Sequence, residues 1–317
     1  MQIEESKTRI KEKLRREAGG HIMAALSDDS VVEILLNHDG SLWIERLGSG
    51  MNFAAKMEGS VAESLIATVA SYTGLIANRE NPVLECEFPL DGSRFEAVLP
   101  PIVEKPIFSL RKRALRTHTL SDYVREGVMS DAQRSEILEA ITNRLNILVI
   151  GGTSTGKTTL ANGILDAIVQ ICPDHRLVIL EDTREIQCHA KNFVQLKTSE
   201  TKTMNQLLRA TLRLRPDRII VGEVRGSEAL SLLKAWNTGH PGGIATLHAN
   251  DAHAGLVRLE QLVAEALVEG AGRNMPKFIS EAVDLLIVIA KVNGSRKISE
   301  IAKVEGFDGE NYKLIMR

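Results

Sequence analysis

Aromatic side chains are scarce in this sequence, at 4% of its 317 residues. Proteins that bind single-stranded nucleic acids stack the bases on aromatic rings, so a platform of that kind is not expected. Lysines and arginines number 39 against 41 aspartates and glutamates, which gives a net charge of −2. Charge alone therefore does not draw the whole chain to phosphate backbones, although local basic patches are still allowed. We expect no direct nucleic-acid binding.

Cysteines and long apolar runs are scarce as well. Cys86, Cys172 and Cys188 are widely spaced, and this spacing favours neither a disulfide framework nor a zinc site. The charged N-terminus lacks the apolar segment of a signal peptide. The apolar run 282–290 contains Asp284 and is too short to cross a bilayer. These features predict a cytoplasmic protein, with any membrane contact being peripheral and at the cytoplasmic face.

The length of the chain suits about two domains. Residues 1–18 form a predicted charged helix with Ile10 and Leu14 on one side. Because this apolar face is thin, we favour a solvated leading helix over one that binds a membrane or a partner. Short apolar runs, turn signals and one helical stretch at 60–73 follow, up to about residue 110. This mixture predicts a smaller α+β domain over residues 1–116.

The second half of the chain has a different pattern. Residues 117–130 are polar with little periodicity, which we interpret as a linker. Beyond it, short apolar runs at 146–150, 177–180, 219–221 and 244–247 alternate with helical sequence. Continuous apolar strands are typical of a mainly parallel sheet covered on both faces. Residues 131–317 are therefore predicted to form an α/β domain.

A phosphate-binding loop follows the first of these strands. The sequence GGTSTGKT at 151–158 matches the pattern GxxxxGK[ST] between a strand and a helix. Glycines let backbone N–H groups surround a polyphosphate at a helix N-terminus; the less favoured alternative is a glycine-rich turn with a chance lysine. We expect Lys157 to reach the β- and γ-phosphates of ATP and Thr158 to coordinate Mg²⁺. The predicted nucleotide-binding residues are Gly151, Gly152, Thr153, Ser154, Thr155, Gly156, Lys157, Thr158 and Thr159.

Carboxylates follow two of the other strands. Glu181 and Asp182 end one of them, and Glu223 follows Gly222 at the end of the next. Such sheets bind ligands at this edge, where a P-loop ATPase needs a carboxylate. We interpret Glu223 as the residue that orients or deprotonates the attacking water, with a plain surface glutamate as the alternative. Asp182 could also cap a helix.

A histidine lies at the end of the fourth strand, in the sequence GHPGGIATLHAN at 239–250. His248 could hydrogen-bond a phosphate oxygen or the carboxylate of Glu223. It could equally be a packing residue, and the sequence leaves both interpretations open.

In this order, the four elements resemble those of the secretion or traffic ATPase superfamily. Its Walker A loop, Asp box, Walker B strand and His box match Gly151–Thr158, Glu181–Glu185, Gly222–Glu223 and Gly239–His248. The stretch LRLRPDRIIVGEVRG at 212–226 is especially specific, and the resemblance covers nearly the whole chain. It implies a RecA-like P-loop motor domain, preceded by a smaller domain, that hydrolyses ATP with Mg²⁺. Within this family Glu181 and His248 would support Glu223.

The chain is most similar to the type IV secretion branch of this superfamily, whose members are short and have two domains. Type II members usually carry a four-cysteine zinc insertion that this sequence lacks, and pilus retraction ATPases are the alternative. The resemblance implies a homo-oligomeric ring, a hexamer, with inner-membrane components of a conjugation or secretion machinery as partners. It also implies arginines of the N-terminal domain that reach the γ-phosphate, and Arg94 and Arg111 match these positions.

Other interpretations of the basic residues stay open. The segment 105–118 holds five lysines and arginines and no acid, so it could face the phosphates, form a solvated edge, or contact nucleic acid or anionic lipid. Some of the arginines at 209, 213, 215 and 218 are expected to pair with acids across a subunit interface. A helicase-like nucleic-acid motor is disfavoured by the charge balance and the few aromatics. A regulatory nucleotide-binding scaffold is disfavoured by the carboxylates at the strand ends.

Overall fold

The computed structural model describes residues 2–113, 118–199, 201–266 and 275–317. It contains two compact units, Met1–Leu115 and Arg116–Arg317. Residues 114–117 of the basic segment, and residue 117 of the predicted linker, lie outside the described part of the chain.

The first unit is an antiparallel sheet with two helices. Its elements are α1 (Gln2–Ser27), β1 (Val31–Leu36), β2 (Ser41–Arg46), β3 (Gly50–Lys56), α2 (Gly59–Thr73), β4 (Val83–Glu87), β5 (Arg94–Val98) and β6 (Ile107–Arg111). The strands pair in the order β3-β2-β1-β6-β5-β4. Alternate side chains, such as Ile34, Phe95 and Leu110, are buried with residues of both helices in one core. The other face of each strand carries more polar and exposed side chains, as the alternation of a half-buried strand requires.

The leading helix is not the solvated helix that its sequence predicts. Leu14 and Ile22 of α1 are almost completely buried in the core of the first unit. The helix is kinked at Gly19, whose φ of 71° and ψ of 175° are not helical. The kink separates the charged N-terminal part from the more apolar last turns. A pattern read over residues 1–18 alone therefore misses most of the buried face.

The second unit has a mixed eight-stranded sheet with helices on both faces. Its elements are α3 (Leu120–Arg125), α4 (Asp131–Thr142), β7 (Ile147–Ile150), α5 (Lys157–Ile171), β8 (Leu177–Glu181), β9 (Phe193–Lys197), α6 (Met204–Thr211), β10 (Arg218–Val224), α7 (Glu228–Asn237), β11 (Ile244–Leu247), α8 (Ala252–Glu265), α9 (Met275–Ala282), β12 (Leu285–Val292), β13 (Ser295–Phe307) and β14 (Tyr312–Met316). The strand order is β14-β13-β12-β7-β11-β10-β8-β9. The pairs from β12 to β9 are parallel, and only β13 and β14 are added antiparallel. The predicted α/β class with a mainly parallel sheet is confirmed.

The predicted linker at 117–130 is wrong over most of its length. It contains α3, and Leu120, Tyr123 and Met129 are buried in the same core as α4 and α5. The helix begins with a capping box in which Thr119 and Asp122 satisfy each other's backbone N–H groups. A helix of six residues is too short to show hydrophobic periodicity, so its sequence resembles a polar connection.

Candidate nucleotide-binding and catalytic site

Four neighbouring parallel strands bring the predicted site residues of the second unit to one edge. In sheet order these strands are β7, β11, β10 and β8. They end within one residue of Gly151, His248, Glu223 and Glu181, respectively. Because the carboxyl ends of parallel strands meet at one edge, four segments distant in sequence form a single candidate site.

The phosphate-binding loop turns back on itself between β7 and α5. Ser154 and Gly156 have positive φ values of 57° and 101°, and Gly156 is the residue before the first turn of α5. The Lys157 ammonium donates to the carbonyls of Gly151 and Gly152, both at 3.0 Å, and the Thr155 hydroxyl donates to Gly152 at 3.0 Å. The loop therefore encloses its own lysine at a helix N-terminus, where anions are favoured.

The first glycine of the loop is required by space. A Cβ on Gly151 would lie 2.4 Å from the carbonyl oxygen of Ile289 on β12 and 2.6 Å from the Thr155 hydroxyl. Only a glycine lets the loop pass so close to the neighbouring strand. Gly151 thus fixes the path of the loop, and the Lys157 ammonium and the N-terminus of α5 are groups of a kind that bind phosphate. Thr158 follows Lys157 in the first turn of α5 and is half-buried, and its hydroxyl is of a kind that binds Mg²⁺ beside a phosphate.

Glu223 lies at an irregularity in β10. Val221 pairs with Ala245 and Val224 with Leu247, so Gly222 and Glu223 occupy a shift in the register with β11. Bulges of this kind re-aim side chains and are common beside active sites. The Glu223 carboxylate accepts a hydrogen bond from Arg225 Nε at 2.7 Å. The carboxylate at the end of β10 is therefore held by an arginine two residues away.

The pKa of Arg225, which binds Glu223, is raised. Partial burial disfavours the charged form of Arg225, but the carboxylates of Glu223, Asp182 and Glu185 more than offset this effect and raise the pKa of Arg225 above its usual range. Arg225 was not singled out from the sequence. Its position two residues after Glu223 is the signal that could have identified it, because residues two apart in an extended chain point to the same side.

Glu181 contacts the backbone of the loop that follows it. Its side chain is 2% exposed, and Oε1 accepts hydrogen bonds from the backbone N–H groups of Glu185 and Ile186 at 2.8 and 2.7 Å. This carboxylate therefore shapes the loop after β8. The predicted helix cap by Asp182 is wrong, because no helix begins there and Asp182 accepts a hydrogen bond from the Thr198 hydroxyl instead.

His248 is exposed at the end of β11. Among the described residues no hydrogen bond joins His248 to Glu223, and the Glu223 carboxylate binds Arg225. Two residues earlier, the Thr246 hydroxyl donates to the carbonyl of Gly222 at 2.7 Å and ties β11 to the bulge. The position of His248 leaves its side chain accessible to a ligand at this edge.

The glycines of the His box pack against Arg218 and Trp236. A Cβ on Gly243 would lie 2.0 Å from Trp236 Nε1, and one on Gly242 would lie 2.4 Å from Arg218 Nη1. Arg218 is completely buried and donates to the carbonyls of Gly242 and Ile141, both at 2.8 Å. This arginine is therefore a core residue and unavailable for the predicted pairing across a subunit interface.

The two arginines predicted in the first unit lie opposite each other. Arg94 on β5 and Arg111 on β6 are register partners, so both side chains project from the same face of the sheet. Phe95 and Leu110, the next residue pair, face the core. Arg94 and Arg111 thus belong to the face opposite the helices, and Arg111 is exposed.

A P-loop ATPase is the class that the fold and the strand-end site define. A family model described as type II/IV secretion system protein matches residues 16–301, and the chain belongs to that family. A probable conjugal transfer protein TrbB from Sinorhizobium fredii (strain NBRC 101917 / NGR234) is 50% identical over 309 residues, which cover 98% of this chain and 94% of the relative. The resemblance to the type IV secretion branch is confirmed.

Solved structures are also similar. The VirB11 ATPase from the Brucella suis type IV secretion system is 25% identical, with 94% of this chain and 96% of that chain covered and a TM-score of 0.50. The pilus retraction motor PilT with bound ADP is 20% identical over 93% of this chain and 82% of that one, with a TM-score of 0.66; this likeness shows the fold alone. Among the residues described, no helix is long and apolar enough to span a membrane.

Proposed function

We propose that the protein is a cytoplasmic, ring-forming, Mg²⁺-dependent ATPase that powers conjugative transfer or type IV secretion. The observation that carries this proposal is the meeting of the phosphate loop and Glu223 at one edge of the sheet. The 50% identity to a relative named as a conjugal transfer protein supports the choice of machinery over pilus retraction. Its partners would be further copies of the chain, in a hexamer, and inner-membrane components of the machinery.

Each residue of the proposed site would have a defined task. The loop amides and Lys157 bind the phosphates, and Lys157 exchanges its two carbonyl contacts for phosphate oxygens. Thr158 would hold Mg²⁺, which when bound neutralises charge on the phosphates. Glu223 orients the attacking water and accepts its proton. Glu181 keeps the neighbouring loop in place, and His248 would contact a phosphate oxygen.

Arg94 and Arg111 would supply positive charge to the γ-phosphate at a junction between subunits. A guanidinium in that position stabilises charge that spreads over the phosphate oxygens during transfer. In such an arrangement the site of each chain is complete only in the assembly. Turnover then depends on oligomerisation, which can be measured directly.

The first experiment measures ATPase activity per chain against protein concentration, in the wild type and in Arg111→Ala. We expect activity that rises with concentration in the wild type and collapses in the variant, while ATP binding is retained. Arg79→Ala, an exposed arginine in a loop of the same unit, is the matched control. Activity that is independent of concentration and unchanged in Arg111→Ala would contradict the shared site.

A separate measurement tests the alternative function. Stimulation of the ATPase by single-stranded DNA that vanishes at moderate salt would favour a nucleic-acid motor.

A further inference from the structure

A basic hairpin lies beside the phosphate loop and has no part in the motifs. Its first strand, β12, pairs in parallel with β7 up to Val288 and Ile150. It then continues to Val292, past the point where β7 gives way to the loop. The chain turns at Asn293 and Gly294, with φ values of 51° and 79°, the left-handed pair of a tight hairpin turn. The hairpin is thus built as an extension of the central sheet.

Contacts with the segment between α3 and α4 hold the hairpin in place. The backbone N–H of Ile298 donates to the carbonyl of Val128 at 2.8 Å, and Lys297 donates to the carbonyl of Gly127. On the loop side, Ile289 lies against Gly151. The hairpin is therefore fixed on both sides and can act as a rigid wall of the site.

Arg296 is a charged side chain of this wall that reaches the loop, beside the apolar side chain of Ile289. A Cβ placed on Gly156 would lie 3.5 Å from both Cδ and Nε of Arg296. Arg296 is exposed, and within the described part of the chain it forms no ion pair with an acidic side chain. Lys297, by contrast, is already bound to Gly127. Arg296 thus lies against Gly156, the residue just before α5, where the dipole and the loop amides favour an anion.

The order of the strands indicates which part of a nucleotide Arg296 would meet. β12 and β10 lie on opposite sides of β7. If Glu223 at the end of β10 faces the terminal phosphate, as in the proposed function on which this inference rests, the ribose end of the nucleotide extends toward β12. The hairpin then lies beside the α-phosphate.

We propose that Arg296 binds the α-phosphate of the nucleotide, from the side of the site opposite Glu223. Guanidinium groups form strong charge-assisted hydrogen bonds with phosphate oxygens. The α-phosphate is present in ATP and in ADP and does not react. Arg296 therefore contributes affinity for both nucleotides, in contrast to a residue that senses the γ-phosphate.

The test is equilibrium binding of ATP, ADP and inorganic tripolyphosphate to the full chain by calorimetry. We expect Arg296→Ala to weaken ATP and ADP by similar factors of roughly 10 to 100, to weaken tripolyphosphate as well, and to raise KM for ATP. Arg296→Lys should restore part of the loss. Lys291→Ala, an exposed cation on the same hairpin, should leave all three affinities unchanged, and thermal unfolding checks that each variant is folded.

Three results would overturn the proposal. Unchanged affinities in Arg296→Ala would show that the arginine does not bind the nucleotide. Weakening of ATP but not ADP would place it at the γ-phosphate, and weakening of both nucleotides but not tripolyphosphate would place it at the base or ribose. The proposed function fails separately, since a chain that binds both nucleotides through Arg296 but does not hydrolyse ATP would disprove turnover and leave this contact standing.

Discussion

Arg94 and Arg111 are direct register partners on neighbouring antiparallel strands, and Glu87 and Glu33 are their outer neighbours in the same row. The row therefore reads acid, base, base, acid across four strands. Like charges opposite each other on a sheet cost about as much as unlike charges gain, roughly 0.2–1 kcal/mol per pair. With two unlike pairs and one like pair, the row gives the chain itself a small net gain, of about one such pair.

We therefore expect Arg94→Ala to change the free energy of unfolding by less than about 1 kcal/mol. The relieved repulsion from Arg111 offsets the lost attraction to Glu87, whose carboxylate also pairs with Arg113 at 3.2 Å. Turnover should fall on the order of 100-fold or more if the arginine acts at the γ-phosphate. Denaturant unfolding and phosphate release measure the two effects. Glu96→Ala, exposed on the same face of β5, is the control. A large loss of stability with normal turnover would assign Arg94 to the fold instead.

Glu223→Gln should abolish hydrolysis while ATP still binds, since the amide keeps the shape of the side chain but cannot accept the proton of water. We expect turnover to fall by at least about 100-fold, a typical contribution of a general base. Lys157→Ala should differ by weakening nucleotide binding as well, because it removes a direct phosphate contact. Phosphate release together with calorimetric binding separates the two variants. Near-normal hydrolysis in Glu223→Gln would disprove the assigned role.

Two variants of Glu181 distinguish a structural role of its side chain from a role of its negative charge. Glu181→Ala removes the acceptor of two backbone N–H groups and should lower the free energy of unfolding by about 2 kcal/mol. Glu181→Gln keeps an acceptor oxygen at that position, so most of the stability and turnover should remain. Thermal unfolding and ATPase rates measure both. If Glu181→Gln folds normally but loses turnover, the negative charge itself is required.

The stability of the second unit should fall in mild acid because of His175. Its pKa is lowered from 6.5, first by burial and then by the cations of Arg218 and Arg144, and its Nδ1 lies 3.1 Å from Arg218 Nε. Below pH 6.5 the unfolded chain therefore binds a proton that the folded chain resists. The free energy of unfolding should decrease as the pH falls from about 7 through the lowered pKa, and this contribution should be complete above 6.5.

Urea unfolding of the wild type and of His175→Gln between pH 5 and 8 tests this prediction. The glutamine can still accept a hydrogen bond from Arg218 but does not titrate in this range, so the acid-side loss should become smaller. Parallel profiles for the two proteins would show that other groups determine the dependence on pH.

The sequence predicts the centre of the second unit well because its strands are short, apolar and followed by distinctive residues. Three strands are found close to their predicted limits. They are the strand before the phosphate loop, the strand that ends at Glu181 and the strand that contains Glu223. The place of the run 282–290 in the sheet cannot be predicted from its sequence. It contains most of β12, whose neighbours in the sheet are distant in sequence, so no local pattern indicates that it leads into a hairpin beside the loop.

The contacts of the site are harder to predict than its members. Arg296 belongs to no sequence motif. It lies near Gly156 because β12 is the neighbour of β7 in the sheet, and the sequence does not indicate that pairing. The core position of Arg218 is hidden for a different reason. A fully buried arginine without an acidic partner is rare, and here main-chain carbonyls take the place of the carboxylate.

Gly222 has an ordinary backbone conformation for any residue, yet a Cβ there would lie 2.9 Å from Cγ of Glu181. Glu181 cannot move aside freely, because its carboxylate is bound to two backbone amides and its side chain is buried. A larger residue at 222 is thus tolerated only together with a residue at 181 that has no γ-carbon, such as alanine. Aspartate has the same γ-carbon as glutamate, so a lineage that keeps an acid of either length at the end of β8 must also keep the glycine on β10.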